Sequence, residues 1–517
     1  MGIKILFIYP NTFGMNMLPP AIALFSAILK KEGHQVKVFD TTYYAVDHGI
    51  DSDGSKEQGL NVVPYQKEME KKGLRIKDSS WKDDVSKLVN DYHPDILILS
   101  STEDMWELGM RILEEIKEYK NKYKIPVLAG GVFPTFAPEI CIKYDLIDMV
   151  CVGEGENALV DICKKIEHKK DYSKVTNLWI KQDDNTIQKN SITKPVDINE
   201  NPIIDTSLFE EARLYRPMAG KVYKMYPVET IRGCPYTCKF CNSPDQMRLY
   251  KGLGHNFFRK KRMDLVYKEL KYFKEVHKVE YNYFWADTFL AMNKKELDEF
   301  CEMYKEIMLP FWMQTRPETI NDHNIKKLSE VGLHRISFGV EHGNEEFRAK
   351  ILDRRWKNKD IIERLKIPHK YGVAFSVNNI TGFPTETKKL AFDTIELNRQ
   401  FNSDNTSCSI LVPFHGTELH DLCVKKGYLD PNVICAVSNS GESLLNMPQW
   451  DKKDITRLRD VFAMYIKFPK NRWPEIKEAE TNIELREDLR SEFIKTYWSD
   501  ANAKIEDDIA EAAKGLF

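Results

Sequence analysis

The chain predicts an α/β fold in three parts: an N-terminal, Rossmann-like, doubly wound parallel sheet, an incomplete barrel of six strand–loop–helix repeats, and a helical C-terminal region. Three observations carry this expectation. Short apolar runs alternate with amphipathic segments over residues 1–167, strand–loop–helix units recur through residues 226–429, and residues 430–517 are charged, helix-rich and set with aromatic side chains.

In the first part, residues 3–9, 36–39, 96–99, 127–129 and 149–152 read as strands, because each is a short apolar run with helical periodicity following most of them. A sheet of this kind binds ligands at the carboxyl ends of its strands. The loops there carry small residues: residues 10–17, the run Ser100, Ser101 and Thr102, the pair Gly130 and Gly131, and Gly153, Glu154, Gly155 and Glu156. Each glycine pair alone also suits a plain tight turn. Residues 41–80 form a polar, weakly periodic insertion that could serve as a flap over the crevice, and residues 168–225 read as a linker with a small hairpin around Asp183, Asp184 and Asn185.

The barrel strands are expected at residues 228–231, 281–285, 311–315, 335–340, 373–380 and 409–412, with catalytic groups on the loops at their carboxyl ends. Trp285, Phe289, Trp312 and Phe414 stand at those ends, where aromatics either line a pocket or fill a barrel. In the final part, Trp450, Tyr465, Phe468, Trp473 and Trp498 have spacings that more often mark a core than a binding site.

Composition narrows the function. With 517 residues, 42% of them hydrophobic and 30% charged, the chain is long enough for several cores. A net charge of -2 gives no electrostatic reason to expect nucleic acid, and the basic run Arg259, Lys260, Lys261 and Arg262 reads as a solvated helix start. No run of about 18 apolar residues predicts a transmembrane helix. The 10 cysteines are scattered and no export-type segment precedes them, so a disulfide framework is not expected and a cytoplasmic location is.

The most informative segment is Arg232-Gly-Cys-Pro-Tyr-Thr-Cys-Lys-Phe-Cys241. Cys234, Cys238 and Cys241 offer three thiolates from one loop, which suits a cubic iron-sulfur cluster with one iron left open for chemistry. The alternative is a zinc knuckle, which needs paired spacing and a fourth ligand, and His255 fits that poorly. The Cys-x3-Cys-x-aromatic-Cys pattern, with Phe240 before the last cysteine, resembles the radical S-adenosylmethionine (SAM) enzymes. The resemblance implies a [4Fe-4S] cluster whose open iron chelates SAM, one-electron cleavage to a 5'-deoxyadenosyl radical, a small-molecule or peptide substrate, and an external electron donor such as flavodoxin or ferredoxin. It also implies SAM contacts at Phe240, Asp287, Arg316, Glu341, Asn378, Gly382 and Pro413. For Arg316 and Glu341 the competing reading is a salt bridge across the barrel mouth. His415, in the turn Val412-Pro-Phe-His-Gly-Thr, stands where the family more often has a small residue, and a substrate contact is one role for it.

A Rossmann-like domain ahead of such a barrel resembles the cobalamin-binding radical SAM enzymes over nearly the whole chain. Ala129-Gly-Gly-Val-Phe-Pro-Thr, Asp148 through Val152-Gly-Glu-Gly-Glu156, and the region around Tyr465 to Trp473 carry the resemblance. It implies cobalamin contacts at Asn11, Ser100, Thr102, Gly130, Gly131 and Glu154. The usual Asp-x-His-x-x-Gly after the first strand is replaced by Pro10-Asn-Thr-Phe-Gly-Met-Asn, which implies base-off binding without a histidine ligand to cobalt. The leading functional expectation is methyl transfer to an unactivated carbon, since a carbon radical cannot attack the methyl of SAM as a nucleophile does. Ring formation, rearrangement or carbon–carbon joining with the same cofactors is the alternative, and a redox or cobalamin sensor is a third.

Overall fold

The computed structural model describes residues 2–14, 17–46, 59–182, 184, 186–436 and 441–498. Strands β1 (Lys4–Tyr9), β2 (Gln35–Asp40), β3 (Ile96–Ser100), β4 (Val127–Gly130) and β5 (Met149–Cys151) pair in parallel in the order β2-β1-β3-β4-β5. β1 shows why the sheet is covered on both faces. Its central residues Ile5, Leu6, Phe7 and Ile8 are all buried, and the strand's alternation sends Leu6 and Ile8 into one core and Ile5 and Phe7 into the other. Helices Pro20–Lys31 and Glu156–Glu167 cover the second face, and helices Trp81–Tyr92 and Trp106–Glu115 the first.

The expected hairpin is present as β6 (Leu178–Lys181) and β7 (Ile187–Lys189), and it extends the N-terminal sheet as two antiparallel strands. Asp183 and Asn185 of its turn lie outside the described residues, as do residues 47–58 of the insertion. The described end of that insertion does not hang free. Leu60 is fully buried in the C-terminal core, and Asn61 bonds the backbone of Cys408 twice, accepting from its N–H at 3.1 Å and donating to its carbonyl at 3.4 Å.

The second large sheet begins with the antiparallel pair β8 (Tyr215–Met218) and β9 (Lys221–Val228). β10 (Ile231–Arg232) and β11 (Arg259–Lys260) form a separate ribbon. β12 (Tyr281–Phe284), β13 (Phe311–Thr315), β14 (Leu333–Glu341), β15 (Ala374–Thr381) and β16 (Asn405–Ile410) then follow β9 in parallel, giving six parallel strands in sequence order. Two strand expectations are corrected. The first barrel strand is β9, ending where the sequence reading began one at residue 228, because the chain leaves the sheet there and residues 231–232 pair sideways with β11. The sixth strand starts at Asn405 and ends at Ile410, so Val412 already belongs to the loop.

Alternation sorts the barrel strands into two faces. Phe284, Phe311, Met313, Ile336, Phe338, Phe375 and Val377 point outward and pack under helices Met263–Glu275, Lys294–Tyr304, Asp322–Ser329 and Ile367–Lys370. Phe289, expected at the barrel mouth, is fully buried in this outer core, 5.2 Å from Phe300. The start of helix Lys294–Tyr304 is fixed by a reciprocal cap between Asn293 and Glu296, the kind of contact whose loss costs about 1 kcal/mol. The C-terminal helix Lys452–Lys467 packs onto the far edge of the barrel, and Trp450, Tyr465, Phe468 and Trp498 are buried there as core. Among the described residues no helix is long and apolar enough to cross a membrane.

Candidate active site

The cysteine loop follows β10 and is shaped by its neighbours before any ligand is considered. Gly233 has φ +86, and a Cβ there would sit 2.8 Å from the Phe257 ring, so both backbone sign and space require glycine. Lys239 N–H donates to Leu352 O at 3.2 Å, Leu419 N–H donates to Lys239 O at 3.0 Å, and the Asn242 amide donates to His415 O at 2.9 Å. The loop is thus laced to the end of the helix Glu345–Ile351 that follows β14, to the helix Glu418–Lys425 and to the loop after β16.

All three thiols are unpaired, with Cys234 and Cys238 buried and Cys241 partly so. Cys234 lies 3.5 Å from Thr288 Oγ1, and Cys241 accepts from Ser243 N–H at 3.5 Å. Cys238 accepts from two buried guanidiniums, Arg316 Nη1 at 3.2 Å and Arg354 Nε at 3.4 Å. Burial pushes the Cys241 thiol up to about 12 and raises Cys234 as well. Neutral thiols this buried become thiolates when a metal replaces their protons, and two adjacent cations offset that charge. Among the described residues the trio with ligand atoms within 4.8 Å of one another is Glu103, His415 and Cys435, not these three sulfurs. Three thiolates from one loop, with two guanidiniums on one of them, are a donor set that suits an iron-sulfur cluster.

Around this loop the structure gathers part of the expected SAM set. Asp287 is exposed, with one oxygen held by Ser243 Oγ at 2.5 Å, and it sits beside Cys234 and Cys241. Arg316 is 7% exposed and also ion-paired with Glu318. Glu341 ends β14 in the left-handed region, φ +69, and lies 3.3 Å from Arg354. Burial raises its carboxyl, opposed by Arg354 and Arg316. Phe240 lies under Arg354, whose guanidinium is 5.8 Å from the ring centroid. Asn378 belongs to a polar row on the inner barrel face, donating to Ser337 Oγ at 2.9 Å and accepting from Ser407 Oγ at 2.8 Å. Gly382 has φ +82, and its N–H is held by Glu386 at 2.7 Å. Pro413 accepts from the Cys435 thiol at 3.2 Å. Trp285, 48% exposed, and Trp312 stand on the inner face, whereas Phe414 packs against the C-terminal core.

Four of the cobalamin candidates, Ser100, Thr102, Gly130 and Gly131, lie at the carboxyl ends of β3 and β4, while Asn11 follows β1 and Glu154 follows β5. Ser101 N–H donates to Gly130 O at 3.1 Å, and a Cβ on Gly131, φ +121, would lie 2.4 Å from Ser101 O. The loops after β3 and β4, which carry Ser100, Thr102, Gly130 and Gly131, therefore pack backbone against backbone, an approach that only glycine at 131 permits. Asn11 is 1% exposed, and its amide is spent on Thr42 Oγ1 at 2.7 Å, tying the loops after β1 and β2. Glu154 is drawn into a buried charge network. Arg232 Nη1 reaches Glu156 at 2.6 Å and Glu154 at 3.0 Å, Arg232 Nε reaches Glu229 at 2.9 Å, and Arg259 also pairs with Glu154. Burial raises the Glu154 carboxyl, but Arg259 and Arg232 pull it below its ordinary value. The network joins the β5 loop of the first sheet to the root of the cysteine loop.

This corrects the reading of residues 259–262 as a solvated helix start. Arg259 is committed to Glu154, and Lys261 is buried against Glu269. His415 is corrected too. Its Nδ1 lies 2.6 Å from Glu103 Oε1, its N–H donates to Glu103 Oε2 at 2.9 Å, and Cys435 N–H donates to Glu103 Oε1 at 2.7 Å. The ring is spent joining the β3 loop to the β16 loop. Arg354, Ser243, Thr288 and Glu103 were missed by sequence reasoning, since none sits in a spaced motif.

The comparisons with known proteins agree with this geometry. Residues 228–397 match the Radical SAM superfamily and residues 56–163 the B12 binding domain. An uncharacterized methyltransferase of Pyrococcus horikoshii is 26% identical over 67% of this chain and 73% of its own length. The anaerobic magnesium-protoporphyrin IX monomethyl ester cyclase of Rubrivivax gelatinosus is 23% identical over 65% and 60%. The solved structure of the radical SAM methyltransferase TsrM from Kitasatospora setae superposes with a TM-score of 0.60 at 14% identity, covering 82% of this chain and 78% of that one. With a B12 binding domain ahead of a radical SAM barrel on one chain, and a three-cysteine loop at the seam between them, the protein belongs to the cobalamin-binding radical SAM enzymes.

Proposed function

We propose that this enzyme transfers a methyl group from cobalamin to an unactivated carbon of its substrate. The observation that supports it is the buried network of Glu154, Glu156, Glu229, Arg232 and Arg259, which holds the loop after β5 against the root of the cysteine loop. Two cofactors meant to act on one molecule need such a fixed seam, because orientation contributes most when reacting groups are held within about 3–3.5 Å of contact. When bound, the cluster and SAM supply a 5'-deoxyadenosyl radical that removes hydrogen from carbon, and cobalamin supplies the methyl group. The chain's own residues position these events. Cys234, Cys238 and Cys241 hold the cluster, Asp287 is placed to meet the SAM amino group, and Arg316 and Arg354 meet negative charge at the cluster. The loops that carry Ser100–Thr102 and Gly130–Gly131, at the carboxyl ends of β3 and β4, meet the corrin tail.

A second reading, ring formation without net methylation, is favoured by the likeness to the Rubrivivax gelatinosus cyclase. One experiment separates them without knowing the substrate. Anaerobic enzyme carrying cluster and cobalamin is reduced and given SAM alone; S-adenosylhomocysteine with a methylated corrin is the expected result. Absence of S-adenosylhomocysteine, with 5'-deoxyadenosine still formed, would remove methyl transfer and leave the second reading.

A further inference from the structure

Low on the inner face of the barrel, four strands line up an arginine–aromatic–arginine row. Arg216 of β8 stands opposite Tyr223 of β9, and its guanidinium lies 4.6 Å from the ring centroid of Tyr283 on β12. Tyr283 stacks on Trp312 of β13 at 4.1 Å, and Trp312 is in register with Arg335 of β14. The row faces inward, because the alternate residues Phe284, Phe311, Met313, Ile336 and Phe338 all pack in the outer core. Met17, from the loop after β1 of the cobalamin domain, packs on the same aromatics. The row therefore lies where the two domains meet.

Both arginines are only partly exposed, yet among the described residues neither guanidinium forms an ion pair or hydrogen bond. The other partly buried arginines around the barrel behave differently: Arg232, Arg259, Arg316 and Arg354 are ion-paired, and Arg348 and Arg364 donate to carbonyls. The carboxylate that acts on Tyr223 together with Arg335 is Glu280, which is exposed and accepts from Lys224 N–H at 2.9 Å, and the other neighbour is a neutral ring. Burial, with Arg335 adding to it, lowers His334 to about 3, and its Nδ1 lies 3.0 Å from Tyr281 OH. Cations drawn from water without a counterion are costly, so two on one inward face imply an anion that arrives with a ligand. Arg335 precedes Gly339, whose carbonyl accepts from Arg354 of the cluster site, by four residues, or about 13 Å along the strand.

We propose that Arg216 and Arg335 form an oxyanion subsite for the substrate, which carries a phosphate, phosphonate or carboxylate against the Tyr283–Trp312 stack, about 13 Å from the cluster end of the barrel. This rests on the methyl-transfer reading, which needs the substrate inside the barrel, between the cluster loop and the cobalamin domain. The other source of the same chemistry is the phosphodiester of cobalamin itself, and the test separates the two.

Full-length enzyme carrying cluster and cobalamin is titrated anaerobically, by calorimetry, with phenylphosphonate, benzoate and benzyl alcohol. Saturable binding of at least one anionic probe, none of the alcohol, and at least tenfold weaker binding in Arg335→Gln and Arg216→Gln are expected, with Arg335→Lys binding more tightly than Arg335→Gln. Both glutamine variants should keep wild-type iron and cobalamin. The proposal fails if no anionic probe binds the wild type, if the alcohol binds as well, or if the variants bind the probes unchanged. It fails equally if the variants lose cobalamin, which would assign the arginines to the corrin phosphodiester. S-adenosylhomocysteine formation without substrate is measured on the same samples, so a failure of the methyl-transfer reading shows there and not in the probe titration.

Discussion

Replacing Arg232 by glutamine tests whether the cobalamin domain is truly fastened to the cluster loop. The guanidinium is 18% exposed and faces Glu156 at 7%, Glu154 at 10% and Glu229 at 25%. Removing it leaves Glu156 without a cation among the described residues, while Glu154 keeps Arg259. Breaking a buried pair costs about 3–5 kcal/mol, and the retained Arg259 contact with partial exposure places this change at about 3 kcal/mol. In domains of about 150–250 residues each kcal/mol shifts the melting temperature by about 2–4 °C, so Arg232→Gln should melt about 6–12 °C below wild type. The assay is thermal unfolding of the cluster-free chain followed by circular dichroism. Adding Glu156→Gln removes the stranded charge, so the double variant should melt above Arg232→Gln alone, and with the Glu156→Gln single variant the cycle gives the coupling energy. A melting temperature within about 1 °C of wild type for Arg232→Gln would refute the argument, because it would mean that solvent screens the network.

Other consequences are sharper in sign than in size. Cys238→Ala should abolish iron-sulfur absorption and reductive SAM cleavage while leaving cobalamin binding intact; cleavage retained by the variant would show that the loop does not hold the cluster. Gly233→Ala places a Cβ 2.8 Å from Phe257 at φ +86, so the loop loses at least about 1–2 kcal/mol and iron incorporation on reconstitution should fall. Burial lowers His415, but Glu103 outweighs it and holds the ring above its ordinary value. A raised folded pKa makes this contribution fully present below about pH 6.5 and lost as pH rises through the folded value. Wild-type stability should therefore fall over that window, and His415→Gln should flatten the slope in denaturant titrations at successive pH values. Asn61→Ala removes both bonds to Cys408, so proteolysis near residue 60 should accelerate if that segment seals the barrel edge.

Sequence distance decides what was legible. The cluster ligands stand within eight residues of one another, and their spacing survives without any tertiary knowledge. The parallel strands announce themselves through buried apolar runs such as Ile5 to Ile8, as both faces are covered. β9 was misplaced because Lys221 and Lys224 interrupt its apolar pattern, while the apolar residues on either side of Glu229 and Thr230 imitate one continuous strand. What escaped are partners brought together by folding alone. Arg354 reaches Cys238 across 116 residues, and Glu103 reaches His415 across 312. His415 looked like a substrate contact for the same reason: a histidine in a barrel-end loop has two readings until its carboxylate partner is seen. The basic run at residues 259–262 looked solvated because Glu154 and Glu269, which bury two of its charges, stand outside it.

The most direct test of the account is cobalt and iron per chain, with the absorption spectrum, on full-length enzyme produced anaerobically with cobalamin supplied. The account predicts about one cobalt and about four iron, with a base-off corrin spectrum, because the loop after β1 offers no histidine to cobalt. About four iron with no cobalt would contradict it, and would leave the loops at Ser100–Thr102 and Gly130–Gly131 without the ligand proposed for them.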